Sequence, residues 1–162
     1  QESGAAFQSI GLRVLDYYLN APPFDWLAGY AQRMARVDSM MAAENKATAA
    51  ARDSLSRPSL PLARYATTYV DAWYGTVTVT MEGGGLVMRF DKTPSLVGDM
   101  IHWQYDTWLV KWRDRELRAD AFATFTLNEE GKVAGASMKP ASPEVDFSFD
   151  FQDLDLRPVA KQ

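Results

Sequence analysis

Hydrophobic residues recur at steps of three and four through the first part of the chain, a spacing that predicts an amphipathic helix. The first stripe consists of Phe7, Ile10, Val14 and Tyr17 or Tyr18. Two prolines at positions 22 and 23 end this helix, because a residue that precedes proline disfavours the α conformation.

A second and longer helix is predicted from residue 25 to residue 54, with Asp25 as its N-cap. Its hydrophobic stripe fades halfway along and consists of Leu27, Tyr30, Met34, Val37 and Met41. Such a stripe needs a neighbour for the first half of the helix only. One partner that would suit it is a second copy of the chain, giving a homo-oligomer through the helix of residues 25–54 at Leu27, Tyr30, Met34 and Met41.

After Pro61 the hydrophobic period changes to two, the period of a half-buried β-strand. Segments with this pattern follow at short spacing: LARYATTYV, GTVTVTME, GLVMRFD, DMIHWQY, TWLVKWRD, DAFATFTLN, KVAGASM and EVDFSFDFQ. The glycines at 83 to 85 and at 131 suit tight hairpin turns. So many consecutive strands predict an antiparallel barrel or a strongly curled sheet, because closure removes exposed edges.

The last of these segments, EVDFSFDFQ, alternates most regularly. We expect it to be a strand whose core-facing side chains are Val145, Phe147, Phe149 and Phe151. The chain is therefore predicted to be mainly β (α+β overall), with two N-terminal helices before an antiparallel barrel of about eight strands. The predicted division places a helical segment at residues 1–57 and the barrel at residues 58–162.

Composition narrows the classes of function. The net charge of −4 makes nucleic acid an unsuitable partner, because a phosphate-binding face needs clustered Lys and Arg. No apolar run reaches the length of about 18 residues that a membrane span needs. The chain has no cysteine and one histidine, which excludes disulfides, thiolate nucleophiles and multi-histidine metal sites. We expect no metal and no cofactor.

The segment GDMIHWQYDTWLVKW, residues 98–112, concentrates the chemistry-bearing side chains. It holds three of the five tryptophans, the single histidine His102 and, four residues later, Asp106. Along a strand these two residues would lie about 13 Å apart, so a direct hydrogen bond between them needs a turn or a bulge. A structural hydrogen-bonded pair is the first expectation, followed by a ligand-binding pair and then by a catalytic pair.

One face of the strand that follows His102 is strongly aromatic, with Trp108, Val110 and Trp112 at alternating positions. An eight-stranded barrel has an interior that is either filled by such side chains or open to one small ligand. The filled interior is the first expectation. In the open barrel, the ligand-binding residues would be His102, Trp103, Tyr105, Asp106 and Trp108.

The motifs of serine hydrolases are missing. The chain has no Gly-x-Ser-x-Gly, and no serine is followed three residues later by lysine. Tyr18-Leu19-Asn20 has the Tyr-x-Asn form of penicillin-recognising enzymes, but chance explains it better, because it has no Ser-x-x-Lys to serve. The acidic run Asp146, Asp150, Asp153 and Asp155 matches no EF-hand loop. No catalytic and no metal-binding residue is predicted.

The β half nevertheless resembles a known family. The matching features are Tyr65 and Tyr69, Tyr74-Gly75 before a Val-rich strand, the hairpin into LVMRF, and HWQYDTW followed by Phe-x-x-Phe and Gly-Lys-Val. Across roughly residues 60–152 they resemble the DUF3471-type domain at the C-terminus of β-lactamase-related serine hydrolases, the class C β-lactamase and penicillin-binding protein group. LDYYLNAPPFDW is similar to the last helix of the catalytic domain of such hydrolases.

The resemblance implies a lipocalin-like accessory barrel that is not itself an enzyme and whose partner is a serine-hydrolase domain in the same polypeptide. Residues 1–57 would be the tail of that catalytic domain and a connecting helix. The barrel would pack beside the catalytic domain or shape its substrate entrance, and HWQYDTW would lock the barrel as a structural signature. A periplasmic or secreted location in bacteria is implied as well. The alternative is a lipocalin-like module that binds a small molecule in an open barrel.

Overall fold

The structure, a computed structural model, describes residues 2–143, 145–146 and 148–159. The chain divides between residues 49 and 50 into two compact units. The first unit contains the two predicted helices, α1 (Glu2–Tyr18) and α2 (Trp26–Ala50). Asp25 caps α2 as predicted, because its carboxylate accepts a hydrogen bond from the Ala28 N–H at 2.9 Å. The second helix ends at Ala50, before the predicted residue 54.

The helical unit leaves its hydrophobic stripes largely uncovered. The predicted stripe of α1 is between 50 and 79% exposed at Phe7, Ile10, Val14, Tyr17 and Tyr18. The second helix has no buried residue, and Leu27 on its stripe is 60% exposed. The segment between the helices is fixed by the Trp26 indole N–H, which donates to the Asp16 carboxylate at 2.7 Å. The helices are thus formed, but their hydrophobic faces lack a cover within this unit.

The second unit is an eight-stranded antiparallel sheet, as predicted. Its strands lie in the order β7-β6-β5-β4-β3-β2-β1-β8. Just before β8 the chain nearly closes the sheet, because Ala136 of β7 and Leu156 exchange two backbone hydrogen bonds of 2.8 and 3.0 Å. The strands are β1 (Thr68–Asp71), β2 (Gly75–Glu82), β3 (Gly85–Phe90), β4 (Val97–Gln104), β5 (Thr107–Trp112), β6 (Ala121–Leu127), β7 (Val133–Pro140) and β8 (Arg157–Pro158).

Successive antiparallel strands place alternate turns at opposite ends of the barrel. The β2–β3, β4–β5 and β6–β7 turns lie at one end, which we call the Asp106 end. The β1–β2, β3–β4 and β5–β6 connections lie at the other, the Trp73 end. Tight hairpins form where the sequence predicted them, since Gly83, Gly84 and Gly131 have positive φ values of 56°, 84° and 68°.

The interior of the barrel is filled with aromatic and aliphatic side chains. The predicted aromatic face of β5 points inward, and Trp108, Val110 and Trp112 are at most 1% exposed. Tyr65 and Tyr69 are fully buried beside them, and the ring centroids of Tyr65 and Trp108 lie 4.5 Å apart. Edge-to-face contacts of this kind add to the stabilisation from burial.

The segment EVDFSFDFQ is not the strand that its alternation predicted. Its described part forms turns followed by a 3₁₀ helix, Phe151–Asp153, and the eighth strand is Arg157–Pro158 instead. Local bonds replace the strand ladder: the Asp146 side chain accepts from the Ser148 N–H at 2.9 Å, and the Phe149 N–H donates to the Asp146 carbonyl at 3.0 Å. Phe151 is buried and Val145 and Phe149 pack against the core as expected, while Phe147 lies outside the described residues.

The first predicted strand is also shorter than its pattern. In LARYATTYV, residues Leu62–Arg64 form a 3₁₀ helix, and pairing begins only at Thr68. The reason is Tyr65, whose ring enters the core at the start of the barrel and whose carbonyl accepts a hydrogen bond from the Tyr69 hydroxyl at 2.8 Å. Burial of both tyrosines therefore explains their spacing of four.

Candidate functional site: a clasp at the Asp106 end

The end of β4 and the β4–β5 turn carry four of the five candidate residues. A register shift lies between His102 and Gln104, and Tyr105 adopts a left-handed conformation with φ 46°. These two irregularities supply the turn that a His–Asp approach would need. His102 nevertheless bonds elsewhere: its Nε2 lies 2.9 Å from the carbonyl oxygen of Tyr105. His102 and Asp106 are therefore each hydrogen-bonded, but to different partners, and they do not form the direct pair that was the first expectation.

Asp106 binds the chain that follows α2. Its carboxylate accepts hydrogen bonds from the Ser59 N–H at 2.9 Å, from the Ser59 hydroxyl at 2.7 Å and from the buried Tyr65 hydroxyl. Partial burial raises the pKa of Asp106, but the hydrogen bonds from Tyr65 and Ser59 and the nearby His102 outweigh this effect, so the pKa is lowered. Burial also raises the pKa of Tyr65, which keeps this hydroxyl a donor.

Tyr105 binds the same segment from the other side of the turn. Its hydroxyl donates to the Asp53 carboxylate at 3.0 Å, and its N–H donates to the Ser56 hydroxyl oxygen at 3.0 Å. The Asp53 N–H donates in turn to the Gln104 side-chain oxygen at 2.9 Å. The hydrogen bond to Asp53 raises the pKa of Tyr105, so this hydroxyl also stays protonated.

Arg52 closes the contact beside Trp103. Its guanidinium donates to the Trp103 carbonyl at 2.6 Å and to the His102 carbonyl at 3.1 Å. The same guanidinium lies 4.8 Å from the centroid of the Trp103 ring, a cation–π arrangement. Trp103 rests on Phe122 of β6, with ring centroids 5.0 Å apart. We call residues 52–60 together with residues 102–106, the end of β4 and the turn after it, the clasp.

Trp108 lies in the core beneath the clasp. It is 1% exposed, and its ring centroid lies 5.2 Å from that of Phe125 and 5.8 Å from that of His102. The five candidate residues are therefore brought together, but four serve the clasp and the fifth packs the barrel. Whether they also bind a ligand stays a prediction.

The sequence reasoning missed the other half of the clasp. Arg52 and Asp53 lie at the end of the helix predicted for residues 25–54, and Ser56 and Ser59 lie between that helix and the first predicted strand. A usable signal was present, because Asp and Ser in a segment before prolines favour side-chain hydrogen bonds to backbone. What the sequence could not supply was the partner, which lies about fifty positions later.

The side chains of the clasp form hydrogen bonds that join residues 52–60 to residues 102–106. The hydroxyls of Ser56 and Ser59 are already engaged: Ser56 donates to the Asp53 carbonyl at 2.7 Å and Ser59 donates to Asp106. Throughout the described part of the chain, no buried side-chain N or O atom lacks a hydrogen-bond partner. Over the same residues, no group of three or more His, Asp or Glu side chains is placed to hold a metal ion. Among the described helices, none has the length and apolar character of a membrane span.

Comparison with known proteins agrees with the predicted resemblance. A search of curated proteins finds no match. Among solved structures, the C-terminal domain of penicillin binding protein Rv0907 is similar at 21% identity with a TM-score of 0.48, over 67% of this chain and 94% of that one. The model of the family DUF3471, a domain of unknown function, matches residues 51–158, which include the clasp and the whole barrel. The chain therefore belongs to the DUF3471 family.

Proposed function

We propose that this chain is the non-catalytic C-terminal accessory part of a serine hydrolase of the β-lactamase and penicillin-binding type. Its barrel would pack against the catalytic domain of the same polypeptide or shape the access of substrate to it. The observation that carries the proposal is the uncovered hydrophobic face of α1, where five large side chains are 50 to 79% exposed. An exposed hydrophobic face of this kind is typical of a surface that packs against another domain or protein.

The size of this face fits a permanent partner in the same chain. Covering the exposed 50 to 79% of these five side chains contributes roughly 5–10 kcal/mol, at about 1.5–3 kcal/mol for each complete burial. A partner within the same polypeptide is already at high effective concentration, so this energy is enough to hold it. The resemblance of LDYYLNAPPFDW to the last helix of such catalytic domains supports this assignment, with residues 1–57 as their tail and connecting helix.

The clasp suits an accessory domain. It fixes residues 52–60 to the β4–β5 turn through side chains that belong to the HWQYD signature. A flexible linker would allow the barrel to change its position relative to the catalytic domain. A linker that is hydrogen-bonded to the barrel leaves it at a defined place and limits that freedom. The signature would therefore serve attachment of the barrel as well as its packing.

The first test is the coding sequence that precedes residue 1. We expect an uninterrupted reading frame that encodes a leader for export, a Ser-x-x-Lys motif and a Tyr-x-Asn motif upstream. In the complete polypeptide, hydrolysis of a β-lactam, an ester or a D-amino-acid peptide is expected, and none by residues 1–162 alone. A stop codon or an unrelated domain upstream, or turnover by the isolated chain, would overturn the proposal.

A second test addresses the face of α1 directly. In the complete polypeptide, Ile10→Asp should lower the stability of the catalytic domain, because it places a charge in the covered face. The matched control is Asp38→Asn, which changes a charge on exposed α2. Equal effects of the two substitutions would contradict the proposed contact.

The alternative function is a lipocalin-like module that binds a small molecule through His102, Trp103, Tyr105 and Asp106 at the Asp106 end. Trp108, the fifth candidate, is 1% exposed and would join the site only in a barrel that opens to the ligand. The observation that supports this alternative is Tyr105, which is 57% exposed beside the half-buried His102 and Trp103. Tryptophan fluorescence during titration with a library of apolar small molecules tests it, with Trp103→Phe as the variant expected to abolish the change. Binding that survives this substitution would refute the assignment to these residues.

A further inference from the structure

The Trp73 end of the barrel holds a cleft that the signature residues do not touch. Its volume is about 300 Å³. This lies at the lower end of the range of about 300–1,000 Å³ found for small-molecule sites. Its buried floor includes Phe90 and Leu96, and five of its lining residues are aromatic: Trp73, Tyr74, Phe90, Phe149 and Phe151.

Trp73 stands at the rim of this cleft and is 93% exposed. The turn that carries it is fixed by the buried side chain of Asp71, which accepts hydrogen bonds from the Trp73 N–H at 2.8 Å and the Tyr74 N–H at 2.9 Å. The other oxygen of Asp71 accepts from the Asp155 N–H at 2.8 Å. One carboxylate thus ties the Trp73 wall to the segment that follows Phe149 and Phe151.

The opposite wall is a column of stacked rings. Phe149 stacks on Phe151 with centroids 5.6 Å apart and an interplanar angle of 22°, and Phe151 stacks on Trp112 at 5.9 Å and 21°. Trp112 is held by its indole N–H, which donates to the Ala119 carbonyl at 2.6 Å. The wall is therefore continuous with the rigid core of the barrel.

The lining of the cleft carries one positive and one negative side chain, Lys92 and Asp150, and the further carboxylates Asp71, Asp91 and Asp153 lie near it. Of the two ionisable groups in the lining other than Tyr74, Lys92 lies 3.8 Å from the Asp91 carboxylate, while the Asp150 carboxylate makes no hydrogen bond or ion pair within the described residues. Burial raises the pKa of Tyr74, and the nearby negative charges of Asp150, Asp153 and Asp71 raise it further. An aromatic wall beside an unpaired carboxylate is the combination that recognises organic cations.

We propose that this cleft binds a small organic cation with an apolar or aromatic body, such as an arylalkylamine. The apolar body lies between Trp73 and the Phe149–Phe151 stack, and the ammonium group faces Asp150 at the rim. This site is at the opposite end of the barrel from the clasp and uses none of the residues of the clasp.

The experiment titrates the isotope-labelled chain with three probes that share a phenyl ring, namely 2-phenylethylammonium, 2-phenylethanol and 3-phenylpropanoate, followed by ¹H–¹⁵N NMR. We expect saturable shifts at the Trp73 indole and at residues 148–151 with the cation, and roughly tenfold weaker binding of the anion. Trp73→Ala should lower the affinity for the cation roughly tenfold, and Asp150→Asn should bring the cation and the alcohol within about threefold of each other. Added salt should reduce the preference for the cation as well.

The control is Tyr18→Ala, which removes a 77% exposed aromatic ring from α1 and should leave all three affinities unchanged. Trp73 and Asp150 are exposed, so their substitution should change the free energy of unfolding by no more than about 0.5 kcal/mol. Equal affinity for the three probes, no saturable shift, or shifts confined to the Asp106 end would each overturn the proposal. If Asp150→Asn perturbs the fold, the salt dependence of binding to the unsubstituted chain tests the role of the carboxylate instead. A preference for the cation over the alcohol that does not change with salt would exclude that role.

Discussion

Asp106→Ala is the substitution that tests the clasp most directly. In the intact chain, the carboxylate of Asp106 joins three groups from elements far apart in sequence, namely the backbone and hydroxyl of Ser59 and the hydroxyl of Tyr65. Removing it leaves the Ser59 groups in contact with water but leaves the Tyr65 hydroxyl inside the protein, where Tyr65 is fully buried. The loss should therefore exceed that of an ordinary surface carboxylate.

The magnitude follows from these contacts. A hydrogen bond to a charged group contributes about 1.5–3 kcal/mol, and a buried hydroxyl left without an acceptor costs about 1–3 kcal/mol. The contributions of the two Ser59 bonds are reduced because the carboxylate is half-exposed and water replaces it there. We expect Asp106→Ala to lower the free energy of unfolding by about 3 kcal/mol.

Urea unfolding of the barrel, followed by tryptophan fluorescence, measures this loss. The matched control is Asp99→Ala, which removes a carboxylate from the neighbouring strand β4, where it pairs with Arg113 at 2.7 Å while 56% exposed. A surface pair of this kind contributes about 0–1 kcal/mol. Combining Asp106→Ala with Tyr65→Phe should recover about 1–2 kcal/mol relative to additivity, because no hydroxyl is then left without an acceptor.

The pH dependence gives an independent check. The pKa of Asp106 is lowered in the folded protein, so its contribution is fully present above the unfolded value of about 4 and is lost as pH falls through the folded value. The difference between the wild-type chain and Asp106→Asn should therefore shrink below about pH 4. The reasoning is refuted if Asp106→Ala and Asp99→Ala destabilise equally, or if the two substitutions are additive with Tyr65→Phe.

Four further predictions concern other parts of the chain. Gly98→Ala should destabilise the barrel by about 2 kcal/mol or more, because the added Cβ would lie 2.5 Å from Val110 Cγ1 and 2.8 Å from Trp112 Cε3. The control is Gly11→Ala on α1, where an added Cβ meets nothing within 4 Å. Urea unfolding compares the two variants, and equal stability would contradict the close approach at Gly98. Arg52→Ala should increase amide hydrogen exchange at Asp53 and Tyr105, while Arg36→Ala on α2 should not, and unchanged exchange would mean that Arg52 does not hold the clasp. Burial raises the pKa of Asp71, but three backbone N–H donors lower it more. Asp71→Asn should therefore lower the free energy of unfolding by about 2 kcal/mol at pH 7, and by progressively less below about pH 4. A loss of stability that does not depend on pH would exclude a role for the charge. Size measurement over a dilution series tests self-association through Leu27, Tyr30, Met34 and Met41, with Met34→Asp as the variant expected to abolish any dimer; a chain that is monomeric throughout would end that prediction.

The strands that the sequence predicted well are those with a one-sided burial requirement. In β2 and β5 the buried residues occupy alternate positions, and period-two alternation identifies them because one face must be buried. EVDFSFDFQ has the same alternation and is not a strand. Its Asp146 side chain closes a local turn onto the Ser148 N–H, and Phe149 and Phe151 reach the core without a strand ladder. Hydrophobic period alone does not distinguish this turn from a strand.

The candidate residues were identified by type but not by role. Their concentration in GDMIHWQYDTWLVKW indicated a dense network, and the family features in it were enough to predict membership of DUF3471. The role depended on contacts such as Arg52 with Trp103 and Ser59 with Asp106, which join positions about fifty residues apart. Hydrophobic period says nothing about such pairs, because the partners are polar and their meeting depends on the register of β4 and the bulge at its end.

By itself, the sequence determined the helices, seven of the strands, the turn glycines and the family, since each of these depends on local spacing and residue type. The tertiary structure alone decided that the eighth strand is Arg157–Pro158, that HWQYD holds residues 52–60, and that an aromatic cleft forms at the Trp73 end. These features arise from side chains that are distant in sequence. Their meeting is set by barrel closure and strand register, which no local pattern encodes.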